Sequence, residues 1–440
     1  MIRQTVLGFK LEKTGERLTA HGGLAFMAEY SHGLGLKDLV NQHLPLPGSP
    51  RGYDPSVFVE CLVWMLWGGG RRLEDMRELE REGALMAMLG QEEIPDPDTV
   101  GDWMRRMGDP KKGQGGLVGL GCVRDLLNQR ILRRDGISEY TLDADATQIV
   151  AEKQDAQWTY QSEKGYMPML GFLFETPVCI SDEFREGNVS PGSGQVDFYV
   201  GSKGQMPKGK RIARYRADSA SYQAELINEL EADGVTWAIT ADQDASVKRL
   251  IRQIPEEAWK EPQAGCGYEV AETVHTMNKT EKAFRLIIKR EWRQQRGLFE
   301  GEEGKYFYHG VASNWLEEEK DSHAVLMWHN QRGSAENFNK ELKSGFGMEQ
   351  MPCGQGYANA VYLRIGVIAY NLFIGFKKLS CPNAWAHHTI ATFRWKMVQV
   401  AGLIVHRARQ VVLKLAVDAE ELAIFEGIRR RCFELSVATS

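Results

Sequence analysis

The stretch Trp328–Gly345, WHNQRGSAENFNKELKSG, combines a guanidinium, a carboxylate and two lysines at fixed spacings. Ser334 is a plausible N-cap and predicts a helix that no proline interrupts. In that helix Glu336, Lys340 and Lys343 share one face, because they are spaced at i, i+4 and i+7. Taken alone, this pattern is typical of a solvated face with ion pairs. The other interpretation is a carboxylate that binds a metal while its basic neighbours bind phosphates.

The composition is that of an ordinary globular protein of 440 residues, with 43% hydrophobic residues and a net charge of −5. This length is sufficient for two or three domains. The seven cysteines form no CxxC pair, so neither a disulfide framework nor a zinc site is indicated, and a cytoplasmic location is expected. The longest apolar tract, 361–376, contains Arg364 and Asn371 and is too short for a membrane span. We therefore expect a buried helix there and no membrane contact.

The N-terminal part, residues 1–135, has helical periodicity throughout. A helix over 55–67 begins at a proline and is followed by glycines, which is the usual asymmetry. A short helix that begins at Pro97 or Asp98 carries Arg105 and Arg106. It resembles the reading helix of a helix-turn-helix, and plain helical packing is the competing interpretation.

From residue 137 the sequence becomes β-branched and alternating, which predicts strands. ISEYTLDADATQIV (137–150), KGYMPMLGFLFE (164–175) and QVDFYV (195–200) are expected to be extended. RIARYRAD (211–218), a helix and the strand VTWAITAD then predict a parallel β-α-β unit. Residues 255–322 predict an antiparallel, β-rich insertion, and a pair of helices is expected from about residue 384 onward.

Three acidic residues lie at positions where these strands and helices could form an active site. Asp145 shares one side of its strand with Asp143. Asp218 ends a second strand, 211–218, at the position where open α/β sheets bind ligands, although a role as a simple helix N-cap also explains it. Together with Glu336 they could hold two Mg²⁺ ions about 4 Å apart, which activate the attacking oxygen and stabilise the leaving one in phosphoryl transfer. Asp143 and Asp242 are rivals for the two aspartate positions.

The spacing His329-x2-Arg332-x3-Glu336-x6-Lys343, together with this strand order, resembles the Tyr-Arg-Glu-Lys signature of DDE transposases from bacterial insertion sequences. The resemblance extends over residues 15–415, and His329 stands where the family usually has tyrosine. It implies an α/β fold with an RNase H-like catalytic domain, a β-rich insertion and helical N-terminal and C-terminal parts. The implied boundaries are 1–135 for a helical DNA-binding domain, 136–254 and 323–380 for the catalytic core, 255–322 for the insertion and 381–440 for the C-terminal region.

The activity that the resemblance implies is cut-and-paste transposition. Asp145, Asp218 and Glu336 would be the catalytic residues and the ligands of Mg²⁺ or Mn²⁺, and a homodimer would bind DNA. Relatives often form a DNA hairpin and hold a flipped base on a tryptophan. Trp158 and Trp237 are candidates for this role, although packing in the core is the simpler expectation for each. A nuclease of the same fold that does not join strands, and an inactive DNA-binding descendant, are the alternatives.

Basic side chains are the expected contacts to DNA phosphates. Six of them form a basic run over residues 203–216 with a local charge of +6, which is either a solvated surface or part of a DNA groove. Because this run leads into Asp218, we predict that Lys208 and Lys210 flank the groove and that Arg216 lies near the metal site. The expected DNA contacts are therefore Arg105, Arg106, Lys208, Lys210, Arg214, Arg216, His329, Arg332, Lys340 and Lys343.

Overall fold

The computed structural model describes residues 9–111, 115–293 and 305–437. The first third of this part is helical, apart from the short strand β1 (Leu18–Thr19). Pro55 begins the third helix, and Gly69 ends it with φ 111°, a left-handed conformation that favours glycine. The helices are α1 (Leu24–Gly33), α2 (Leu36–His43), α3 (Pro55–Gly68), α4 (Met76–Arg81), α5 (Gly83–Met88), α6 (Pro97–Gly108) and α7 (Gly116–Leu132).

A mixed sheet of eight strands, counted over the described residues, forms the centre of the fold, in the order β10-β11-β12-β9-β8-β2-β6-β7. Strand β8 pairs in parallel with β9, as the β-α-β pattern predicts, and β2 pairs in parallel with β8 on the other side. The strands are β2 (Glu139–Ala146), β6 (Met169–Leu173), β7 (Cys179–Glu183), β8 (Arg211–Ala217), β9 (Thr236–Thr240), β10 (Glu269–His275), β11 (Phe284–Arg293) and β12 (Lys305–Ser313).

Shorter elements connect these strands. The extended conformation predicted for 195–200 is wrong, because this segment forms the first part of a helix that packs against β7. Three short strands pair into a separate small sheet directly after β2. The helices are α8 (Gln195–Gly204), α9 (Ala224–Ala232) and α10 (Ala245–Gln253), and the strands are β3 (Ile149–Val150), β4 (Gln157–Trp158) and β5 (Lys164–Tyr166).

The segment predicted as a β-rich insertion is antiparallel and continues the central sheet. Strand β12 pairs with β9 through Val311 to Ser313, so β10, β11 and β12 extend the sheet on that side. The pairing of these strands does not test the predicted domain boundaries, which stay a prediction.

The chain then forms two short helices and one long one: α11 (Ser322–Asn330), α12 (Gly333–Lys340) and α13 (Gly356–Leu379). By length and hydropathy α13 could cross a membrane, but 94% of its most apolar window is buried inside the protein. Helices α3, α6 and α7 pack against it, so it is the core helix of the fold, as its sequence predicts.

The C-terminal region differs from the predicted pair of helices. After the short helix α14 (Ile390–Phe393), a hairpin of β13 (Gly402–Arg407) and β14 (Gln410–Leu415) pairs with β1, and only α15 (Ala419–Val437) is a long helix. The hairpin turn is made by Ala408 and Arg409, both with positive φ. Because neither residue is glycine or asparagine, the sequence contains no turn signal there.

Candidate active site at the carboxyl ends of the parallel strands

Asp145 and Asp218 lie beside each other at the carboxyl ends of β2 and β8. The parallel register pairs Ala144 with Ala217, so the next residue of each strand is one of the two aspartates. Side chains alternate along a strand, which places every second residue on the same face of the sheet. The register therefore brings together the two acids that the sequence singled out.

The Asp145 carboxyl lies in a crowded and partly charged environment. Its side chain is 18% exposed, its Oδ2 accepts a hydrogen bond from Asn339 Nδ2 at 2.8 Å, and its Oδ1 is 4.0 Å from Arg332 Nη1. Burial is the largest cause that raises the pKa of Asp145 to about 7; the charges of Asp218 and Glu336 also raise it, whereas Arg332 and the hydrogen bond from Asn339 lower it. The charges of the other two predicted acids thus both reach the Asp145 carboxyl group.

Glu336 lies in α12, the second of the two short helices that follow β12. The predicted N-cap is wrong: α12 begins at Gly333 with Arg332 at the cap position, so Ser334 lies within its first turn. Arg332 Nη2 is 3.5 Å from Glu336 Oε1, and the Glu336 side chain is 64% exposed. Lys340 is exposed.

Lys343 lies in a π-helical turn, Glu341–Gly345, that continues α12. Its Nζ donates to Gln148 O at 2.6 Å and to Thr147 Oγ1 at 3.3 Å, in the loop that directly follows β2. Burial lowers the pKa of Lys343. Arg332 and Lys343 therefore both lie near the carboxyl end of β2, which carries Asp145.

Oxygen donors dominate this site, as a hard divalent cation requires. Among the described residues no three side chains of the His, Cys, Asp and Glu types are gathered closely enough to hold a metal ion. The two aspartates and the Asn339 amide nevertheless supply carboxylate and amide oxygens, and Asn339 Oδ1 is buried without a hydrogen-bond partner. By donor chemistry these residues fit Mg²⁺ or Mn²⁺. Asn339 was not among the residues that the sequence singled out.

Comparison of the chain with models of protein families gives a match. The family model described as transposase DDE domain, group 1, matches residues 6–436. The chain belongs to the DDE transposase family. A search of curated proteins gave no match.

Asp143, the first rival aspartate, has a structural role in the transposase. It is fully buried, and its two oxygens accept hydrogen bonds from Arg216 Nε and Nη2 at 2.7 and 2.8 Å. Arg216 is also fully buried, lies 4.4 Å from the Phe174 ring centroid and donates to Trp328 O at 2.9 Å. Arg216 is therefore near the site, but it has no surface to offer a DNA phosphate, which corrects that expectation. Asp242, the second rival, is exposed and lies beyond the end of β9.

His329 is buried beneath the strand ends rather than turned toward DNA. Its Nε2 lies 3.2 Å from both Ala217 O and Thr240 Oγ1. Since a carbonyl oxygen only accepts, Nε2 carries the proton, and the buried Nδ1 has no partner in the part of the chain that the structure describes. Burial lowers the pKa of His329 to about 4, so the ring is neutral near pH 7. A phosphate contact by a charged His329 does not fit this position.

The basic run is largely neutralised by acids. Lys210 Nζ donates to Asp135 Oδ1 at 2.9 Å and to Ile137 O, and its side chain is mostly buried. Of the predicted groove residues only Lys208 is exposed, and no ion pair is found for it within the described ranges. The other pairs are Lys203 with Asp233, Arg211 with Glu139, and Arg214 with Glu175. The structure thus favours a structural role over a DNA groove for Lys210 and Arg214.

Helix α6 buries its apolar side chains and leaves two arginines at least partly exposed. Val100, Trp103 and Met107 are buried, and the helix packs against α13. Arg105 forms an ion pair with Asp102, lies beside a cleft of about 560 Å³ and is partly exposed, while Arg106 is exposed. Helical packing is established by these contacts, and DNA contact by the two arginines stays a prediction.

The two tryptophans differ in environment. Trp237 is fully buried, as expected, and its Nε1 donates to Glu231 Oε1 at 2.9 Å. Trp158, in β4, is 65% exposed, which corrects the expectation that it packs in the core.

Proposed function

We propose that this transposase cuts and joins DNA in cut-and-paste transposition, using an RNase H-like catalytic core. One observation carries the proposal: Asp145 and Asp218 end adjacent parallel strands, and Arg332 lies between Asp145 and Glu336, 4.0 Å from the first carboxylate and 3.5 Å from the second. The antiparallel strands β2, β6 and β7, extended by parallel β8 and β9, support the RNase H-like assignment.

Asp145, Asp218 and Glu336 are the residues that we propose would hold Mg²⁺ or Mn²⁺. When bound, such ions activate the attacking oxygen and stabilise charge on the leaving oxygen. Asp145 is suited to this role because its carboxylate is held on one side by Asn339 and lies in a site of low solvent exposure. A cation would also relieve the repulsion between the aspartates that contributes to the raised pKa of Asp145.

Arg332 and Lys343 are the proposed contacts to phosphates of the DNA end. Both lie near the carboxyl end of β2, and each has at least one N–H group that its protein partners do not use. Their charge would hold the scissile phosphate over the carboxylates before the reaction. We further propose that the enzyme acts on element ends as a homodimer.

The proposal is tested with the purified protein and a labelled duplex that carries the inverted repeats flanking its coding region. With Mg²⁺ or Mn²⁺ present, we expect cleavage at the repeat end and covalent joining of the new 3′ end to target DNA. Asp145→Asn should retain binding to the duplex and lose both products. Cleavage without joining would support the nuclease alternative, and binding without cleavage by the parent would support the inactive descendant.

A further inference from the structure

Asn339 is the residue of the site that neither the motif nor the proposed roles include. It lies one helical turn after Glu336 in α12, and the side chain is 5% exposed. Its Nδ2 donates to Asp145 Oδ2 at 2.8 Å, whereas its Oδ1 is buried and has no hydrogen-bond partner among the described residues.

Other buried asparagines of the described residues use both ends of their amide group. Asn371 accepts a hydrogen bond from Cys179 N through Oδ1 and donates through Nδ2 to Cys179 O and Asn128 Oδ1. Asn359 likewise uses both ends of its amide, accepting from Cys353 N and donating to Cys353 O. Buried polar groups in folded proteins are normally paired, so an asparagine that only joins two elements should resemble these two.

The hydrogen bond from Asn339 makes the two oxygens of Asp145 different. Oδ2 is held by the amide, while Oδ1 points to the side on which Arg332 lies at 4.0 Å. Since a carboxylate rotates about a single bond, one fixed donor on Oδ2 determines where Oδ1 is presented.

We propose that Asn339 is a positioning residue of the cation site, which holds Asp145 through Nδ2 so that the other carboxylate oxygen faces the cation. This inference rests on the proposed function, because it assumes that Asp145 binds a divalent cation. It adds a residue outside the four-residue motif to the site.

The test measures Mn²⁺ binding in the absence of DNA, from the electron paramagnetic resonance signal of free Mn²⁺. Asn339→Ala should weaken the affinity of the parent protein for Mn²⁺ by about 10-fold or more, which is the usual effect of removing a residue that orients a metal ligand. The matched control is Asn337→Ala, an exposed residue in the same helix, which should leave the affinity unchanged. The melting temperature of the cation-free protein should be similar in the two variants.

Asn339→Leu fills the buried space without a donor and should give the same loss of affinity if Asn339→Ala does not fold. Equal Mn²⁺ affinity in the parent and the folded Asn339 variants would overturn the inference while leaving the cation site intact. Failure of every Asn339 variant to fold would assign the residue a structural role and overturn it as well. If the parent binds Mn²⁺ no better than Asp145→Asn does, the cation site itself is absent, and the proposed function falls with the inference.

Discussion

The two ends of the strand pair β2–β8 differ in how their charged side chains are paired. At the amino end each base meets an acid, as in Lys210 with Asp135 and Arg214 with Glu175. At the carboxyl end an acid meets an acid, because Asp218 lies beside Asp145. Complementary charges stabilise the sheet, whereas like charges in a partly buried place destabilise it unless a ligand compensates. The uncompensated end is therefore the one at which we propose that the reaction takes place.

The largest effect is expected for the ion pair of Arg216 with Asp143, which is fully buried. Arg216→Ala leaves Asp143 buried without its partner, and we expect a loss of about 3–5 kcal/mol in the free energy of unfolding. Urea unfolding measures it. Arg211→Ala is the control, since its pair with Glu139 is exposed and should be worth less than about 1 kcal/mol. Equal losses in the two variants would contradict the distinction between buried and exposed pairs.

The second prediction concerns the pH dependence of stability. It depends on His329, which is buried beneath the carboxyl ends of the strands. Its pKa in the folded protein, about 4, is below the ordinary value of 6.5, so its contribution to stability is present above pH 6.5 and is lost as pH falls through 4. Between pH 7 and pH 4 the parent should therefore lose about 3 kcal/mol more than His329→Gln in the free energy of unfolding.

Urea unfolding at a series of pH values provides the measurement for His329. The exposed His387→Gln should follow the parent at each pH. If His329→Gln also follows the parent, the imidazole is not held neutral by burial.

A smaller effect is expected at the amino end. Lys210→Ala removes a charged hydrogen bond to the buried Asp135, and we expect a loss of about 2 kcal/mol in the free energy of unfolding. Lys208→Ala changes an exposed side chain two residues away and should stay within about 0.5 kcal/mol of the parent. Affinity for DNA should be unchanged in both, and weaker binding by either variant would restore the idea of a DNA groove at this end.

The smallest expected effect is on the salt dependence of binding. Lys343→Ala removes one proposed phosphate contact at the carboxyl end, so the slope of log K against log salt concentration should become shallower by about 1. Fluorescence anisotropy of a labelled repeat at several salt concentrations gives this slope. Lys208→Ala, from the opposite end of the strands, should keep the slope of the parent, and a flatter slope in both would remove the contrast between the ends.

Local sequence was sufficient for the elements that carry the acids. Alternation predicted β2 and β8, and the motif spacing predicted that Glu336 and Lys343 approach one site. What it could not show was the partner of each charge, because partners are chosen by the register of neighbouring strands. The basic run was expected to reach the site since it leads into Asp218. An extended segment of eight residues is about 25 Å long, however, so Lys210 lies at the opposite, amino end of these strands.

Long-range contacts explain the remaining differences. Asn339 and Asp145 are 194 residues apart in the chain, and no local pattern indicates that they meet. The burial of His329 likewise depends on β8 and β9, which supply Ala217 O and Thr240 Oγ1. A motif identifies residues that share a helix face, but whether a side chain is exposed there is decided by the sheet on which the helix packs.

The pairing of β1 with β13, and of α1 with α15, has a consequence for how the protein is made. Glu29 and Arg429 form an ion pair at 3.0 Å, and Trp67 Nε1 donates to Ala369 O, a residue 302 positions later. Ribosomes add about 5–20 residues per second, so the first helices must wait tens of seconds for the segments that complete their core. Contacts this distant in sequence also slow folding itself. We expect the growing chain to be unable to cut DNA until its last long helix has left the ribosome, and to depend on chaperones until then.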